Sequence, residues 1–342
     1  MGAASMTRRR RMLSRILAIG VAAAVTGTAI VQFGLPWWMQ HGDRNHVFVL
    51  DGVRQRYQVH LPLGYDGTAR LPVVMAIHGC AMTGFGWNSM KATTQFNSLA
   101  DREAFIVVYP TQRMFQNRLN CWDSGDPRQQ HRHAGEPALL AGVVRQVVAD
   151  YHADPDRVHV VGASSGAGTA VILAATHPDV FATVTSVAGG EYGLNQVDPE
   201  NPAATPPAYT ARQAWAQMGP RARQVPLLVI QGEIDDVVPT TVAARLVEHW
   251  AAVHDLVDDG LPNDSLALAE VRETVPAGAD RHAYTRSVLS TARGDTVVES
   301  YLVEGMGHAY PGPDGQGLFT DRAGPAASEL VWDFARRHPM QR

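Results

Sequence analysis

The pentapeptide Gly162-Ala163-Ser164-Ser165-Gly166 brings together what acyl chemistry needs: a serine hydroxyl, a neighbouring backbone N–H, and glycine two positions away on either side. It follows the apolar run 157–161 and opens a stretch of small residues, 167–176, so the expected local structure is strand, sharp turn, helix. A serine on such a turn sits in a strained backbone conformation, and strand and helix close on one another only where the flanking residues are small. Only Ser164 has glycine at both offsets, which makes it the candidate nucleophile. Ser165 is then the residue whose N–H, at a helix start, would help bind an oxyanion.

A serine hydroxyl is a weak nucleophile at neutral pH. It needs a histidine to take its proton and a carboxylate to hold that histidine's tautomer. Gly232-Glu233-Ile234-Asp235-Asp236-Val237-Val238-Pro239 follows the apolar run 227–231 and places an acid beyond the end of a strand, where catalytic groups collect in open α/β sheets. Asp235 is the candidate acid and Asp236 the alternative; the bland reading of both is a helix cap before Thr240. Gly305-Met306-Gly307-His308-Ala309 follows the run ending at Val303, and its glycines permit the close approach that would present His308 to the serine as general base. A fourth element, His78-Gly79-Cys80, follows the run 73–77 and is placed to offer a second oxyanion N–H from Cys80. His78 is expected to support that loop rather than to act as a second base.

The elements that must position these residues alternate between β-type and helical patterns. Candidate strands are 47–50, 56–61, 73–77, 105–109, 158–162, 183–187, 227–231 and 297–303, several of them short, largely apolar and bounded by Gly or Pro, as a buried parallel sheet requires. Helical stretches at 138–151, 241–254 and 326–337 lie between or after them. The expected fold is a three-layer α/β-hydrolase with a mostly parallel central sheet, in one catalytic domain over 39–342. Residues 255–281, rich in Asp, Gly and Pro, read as an irregular surface excursion; the carboxylates Asp258, Asp259 and Asp264 with Asn263 lack calcium-loop spacing and suit a solvated acidic loop. His131-Arg132-His133 reads as an exposed loop rather than a metal site. No metal and no cofactor is expected.

With 342 residues, 45% of them apolar, and a net charge of −4, the chain can bury a sizeable core and carries no nucleic-acid footprint. Its basic residues cluster only at the start. Arg8 to Arg11 and Arg15 fall in a basic tail, 1–15, expected in the cytoplasm, before an uncharged segment, 16–38, that reads as a signal peptide or a signal anchor. The segment is long enough to span a bilayer and ends on Trp37-Trp38, which suits a membrane tether, while Gly27-Thr28-Ala29 would suit cleavage. Either way the catalytic domain is expected outside the cytoplasm.

Taken in order, His78-Gly79-Cys80, Asn120-Cys121-Trp122, Gly135-Glu136-Pro137, the Ser164 pentapeptide, 232–239 and 305–309 resemble the polyhydroxybutyrate depolymerase family of esterases, which has feruloyl-esterase-like members. The resemblance runs from about Leu61 to the C-terminus. It implies that the Cys80 N–H faces the oxyanion and that Cys80 is bridged to Cys121. It also implies an extracytoplasmic serine carboxylesterase that takes short-chain, hydroxyalkanoate-oligomer or feruloyl-type esters and needs no cofactor. Acyl transfer to an envelope alcohol, or a catalytically silent binding module, are the alternatives open to the same residues. The chain departs from the family pattern at Ala167, Met82 and Tyr310. Trp122, Trp87 and Tyr310 are the candidates to line an apolar substrate groove.

Overall fold

The computed structural model describes residues 42–114 and 116–341; the basic tail and the apolar segment 16–38 lie outside the described residues. Two antiparallel strands, β1 (Asp43–Leu50) and β2 (Val53–His60), lead into β3 (Val73–Ile77), the helices α1 (Met90–Thr94) and α2 (Phe96–Glu103), and β4 (Ile106–Thr111). Then follow α3 (Gly135–Asp150), β5 (Val158–Ala163), α4 (Ser165–Thr176), β6 (Thr183–Val187), α5 (Pro207–Met218), β7 (Leu227–Gly232) and α6 (Thr240–Asp259). The chain continues through β8 (Ala269–Val275), β9 (Tyr284–Ser290), β10 (Thr296–Val303), the short pair β11 (Tyr310–Pro311) and β12 (Thr320–Asp321), and α7 (Ala327–Arg337).

Ten strands form one sheet in the order β1-β2-β4-β3-β5-β6-β7-β10-β9-β8. From β4 to β10 every neighbouring pair is parallel, with antiparallel strands at both margins. The strands β3 to β7 are buried along their length, and β3, β4, β5 and β7 read as largely apolar runs rather than as alternation. Successive residues of β3 feed opposite sides: Val73, Met75 and Ile77 join the core under α3 to α6, while Val74 and Ala76 join the core under α1, α2 and α7. This is the three-layer α/β-hydrolase arrangement, and its parallel strands all end at one edge, where the loops carrying Cys80, Ser164, Asp235 and His308 emerge.

The region 255–281 differs from the sequence expectation. Instead of an irregular excursion, α6 runs on to Asp259 and a seven-residue strand, β8, pairs antiparallel with β9 at the margin of the sheet. Six of its seven residues are exposed. An edge strand with solvent on both faces has no need of apolar alternation, so it leaves no periodic signal. Among the described residues no helix is long and apolar enough to cross a membrane.

Candidate active site

The Ser164 turn owes its shape to the two glycines. A Cβ on Gly162 would lie 2.0 Å from the Gly166 carbonyl oxygen, and one on Gly166 would lie 2.4 Å from the oxygen of His78. With both absent, α4 starts directly against the ends of β5 and β3, and Ser164 is held at φ 53°, ψ −120°. Its own N–H donates to the carbonyl of Val187 on β6 at 2.9 Å, which ties the turn to the neighbouring strand. A non-glycine residue at this φ is strained, and the packing of two strands and a helix holds it there.

Asp235 and His308 reach Ser164 from two other strand ends. His308 Nε2 lies 3.0 Å from Ser164 Oγ, and His308 Nδ1–H donates to Asp235 Oδ2 at 2.8 Å. Since the carboxylate can only accept, Nδ1 carries the proton and Nε2 is left bare toward the serine hydroxyl. The Asp235 side chain is fully buried, and its oxygens also accept from the N–H groups of Val237 and Val238 and from Gln231 Nε2. Asp235, not the exposed Asp236, thus faces the imidazole, and α6 begins after Pro239 without a side-chain cap from either acid. Gln231, which sequence reasoning did not single out, anchors this acid from the penultimate position of β7; its only signal was a polar residue at the end of an apolar run.

On the opposite side of Ser164, the 78–80 loop follows β3. His78 is fully buried, and the Gln112 N–H donates to its Nε2 at 3.0 Å while its own Nδ1–H donates to Gly79 O at 2.7 Å. Burial pushes the imidazole down to about 4. A neutral ring with both nitrogens engaged braces the loop. Cys80 is bridged to Cys121, as the family resemblance implied. The N–H groups of Cys80 and Ser165 have no protein acceptor among the described residues.

The three aromatic residues expected at a groove are placed differently. Trp87 is at the surface, 68% exposed, whereas Trp122 and Tyr310 are packed inside. Trp122 lies against the His78 ring, 5.3 Å between centroids, and its backbone N–H donates to Ser165 Oγ at 3.3 Å. The Tyr310 hydroxyl meets Ser328 Oγ of α7.

A family model described as esterase PHB depolymerase matches residues 55–275. The chain is 28% identical over 282 residues to poly(3-hydroxyalkanoate) depolymerase C of Paucimonas lemoignei, covering 80% of this chain and 62% of that one. It is 28% identical over 253 residues to feruloyl esterase B of Neurospora crassa (70% and 78%), and 29% identical over 194 residues to acetylxylan esterase A of Aspergillus ficuum (53% and 62%). It thus spans less than two thirds of the length of two of these three relatives. Among solved structures, acetyl xylan esterase from Aspergillus awamori superposes with a TM-score of 0.62 at 22% identity, over 78% of this chain and 93% of that one, a likeness of fold. With the family model covering most of the sheet and the turn that carries Ser164, the chain belongs to the PHB depolymerase family of esterases.

Proposed function

We propose that this protein is an extracytoplasmic serine carboxylesterase in which Ser164, His308 and Asp235 form the catalytic triad. The observation that carries the reading is the continuous relay from Asp235 Oδ2 through His308 to Ser164 Oγ, on a strained turn flanked by two unengaged N–H groups. Ser164 Oγ attacks the ester carbonyl carbon while His308 Nε2 takes its proton. The carbonyl oxygen becomes an oxyanion facing the N–H groups of Cys80 and Ser165 at the positive end of α4. Collapse breaks the bond to the alcohol, which leaves with the proton from His308. A water molecule, deprotonated by the same nitrogen, then attacks the acyl-enzyme, and the acid departs as Ser164 recovers its proton.

The substrate class rests on the relatives and on the rim of the site. The relatives act on polyhydroxyalkanoate, feruloyl and acetylxylan esters by name. Trp87, Ile234 and Val237 are each more than 60% exposed on loops that follow β3 and β7, at the edge of the sheet from which the triad projects. Such a rim suits an ester with an apolar acyl portion: a short-chain ester, a hydroxyalkanoate oligomer or a feruloyl ester. The Cys80–Cys121 disulfide supports an oxidising compartment, in keeping with the export segment read at 16–38.

The test is hydrolysis of p-nitrophenyl acetate through octanoate, methyl ferulate and hydroxybutyrate oligomers by the wild type and by Ser164→Ala. Serine-dependent turnover is expected, with the preferred acyl group setting the substrate class. Turnover retained by a folded Ser164→Ala protein would overturn the assignment.

A further inference from the structure

Gly135-Glu136-Pro137 has no part in the scheme above, yet Glu136 is a carboxyl only 5% exposed in the first turn of α3. One of its oxygens accepts from Gln112 Nε2 and the other from the Asp123 N–H at 3.0 Å. Gln112 lies just past β4 and serves three further partners. Its side-chain Nε2 also donates to Cys121 O at 3.1 Å, its backbone N–H donates to His78 Nε2, and its Oε1 accepts from the Arg113 N–H at 2.8 Å. His78 holds Gly79 O, Cys121 is bonded to Cys80, and the neighbouring Trp122 N–H reaches Ser165 Oγ.

Two chains of contact therefore leave Glu136. One runs through Gln112 and His78 to the Cys80 loop, and the other through the 121–123 segment to Ser165. They end at the two residues whose N–H groups are assigned to the oxyanion, at Cys80 through its loop and disulfide and at Ser165 through its hydroxyl. We propose that Glu136 is a positioning residue for the oxyanion site, clamping the end of β4 and the 121–123 segment so that the N–H groups of Cys80 and Ser165 converge on one point. The inference rests on the reading of Ser164 as the nucleophile.

The clamp works only with an ionised carboxylate. Both Glu136 oxygens receive N–H donors, and Gln112 cannot turn its amide oxygen toward a protonated Glu136 without abandoning Arg113 N–H. An added proton would face a donor and open one of the contacts. Burial pushes Glu136 up to about 7; its hydrogen bonds and the charge of Arg113 oppose that rise, and the charge of Asp123 reinforces it. His78, the other titratable group across Gln112, stays neutral through this range. The donors should thus lose alignment as pH falls through neutrality, in addition to the loss caused by protonation of the general base.

The experiment compares full-length wild type, Glu136→Gln and Ser164→Ala on p-nitrophenyl butyrate. Glu136→Gln keeps one acceptor in place of two and is expected to lower kcat ten- to hundredfold with KM within threefold. Affinity for a trifluoromethyl ketone, which forms an oxyanion on Ser164, should fall by the same factor. The acid limb of the wild-type profile should be steeper than one proton, and that of Glu136→Gln should revert to a single proton. A Glu136→Gln protein with wild-type kcat would overturn the proposal, as would a wild-type acid limb of one proton, a result independent of how well the variant folds. If Ser164→Ala still turns over, the nucleophile assignment fails. If it is dead while Glu136→Gln is unimpaired, only the positioning role falls.

Discussion

Asp235 accepts four hydrogen bonds, two from backbone N–H groups, one from Gln231 and one from His308. Asparagine at this position would bring an NH2 group into a pocket made entirely of donors. It either faces His308 Nδ1–H or forces the other tautomer, which places a proton on Nε2 where the serine needs a base. Asp235→Asn is expected to lower kcat about 10³- to 10⁴-fold with little change in KM, measured by steady-state hydrolysis. Gly166→Ala tests the turn instead: its new Cβ would meet carbonyl oxygens of β3 and the 78–80 loop at 2.4–2.5 Å, backbone that cannot swing aside. It should cost about 1–3 kcal/mol in urea denaturation. At this scale Ser164 and His308 were legible because the glycines around them have few other uses. Glu136, Gln112 and Gln231 were not, because their roles depend on contacts between segments that no spacing rule links; Glu136 and His78 meet only through a glutamine on a third segment.

At the scale of elements, the buried strands β3, β4, β5 and β7 announced themselves as largely apolar runs, α3, α6 and α7 as amphipathic stretches, and α4 as a run of small residues. At the margins, β1 and β2 were read in part, whereas β8 and β9 were not. β8, Ala269–Val275, carries Glu270, Arg272 and Glu273 on an open edge, so neither composition nor period separates it from a loop. Those charges guard an unpaired row of backbone groups. Replacing Glu270, Arg272 and Glu273 together by Thr, Val and Thr is expected to leave kcat unchanged and to raise the aggregated fraction, read by light scattering at constant temperature. The disulfide between the loops after β3 and β4 offers a second check. It closes a separation of 41 residues, and chain entropy assigns such a closure about 3–4 kcal/mol. Cys80→Ala/Cys121→Ala should lower the denaturation midpoint accordingly; an unchanged midpoint would show that the denatured chain gains nothing from release.

Across the whole molecule, stability is tied to acidity through histidines the fold keeps neutral. Burial pushes His78 and His254 down to about 4, and His159, His177 and His249 to about 3. Below pH 6.5 the unfolded chain takes up protons that these five rings refuse, so folding stability falls with pH by about 1.4 kcal/mol per unit for each. Glu136, raised to about 7, acts in the opposite sense between roughly 4.5 and 7, since there the folded state holds the extra proton, and it offsets one of the five. The urea midpoint should therefore drop steeply between pH 6.5 and 4.5, and a midpoint that holds or rises over that range would contradict the assignment of buried neutral rings. The order of the strands carries a further consequence, one of timing. His308 lies 144 residues after Ser164 and follows β10, the last parallel strand in chain order, which pairs with β7. A chain emerging N-terminus first holds its strained serine long before it holds a base. Ester hydrolysis during synthesis should thus appear only once β10 and the loop bearing His308 have emerged and docked, and chains arrested before His308 should show none.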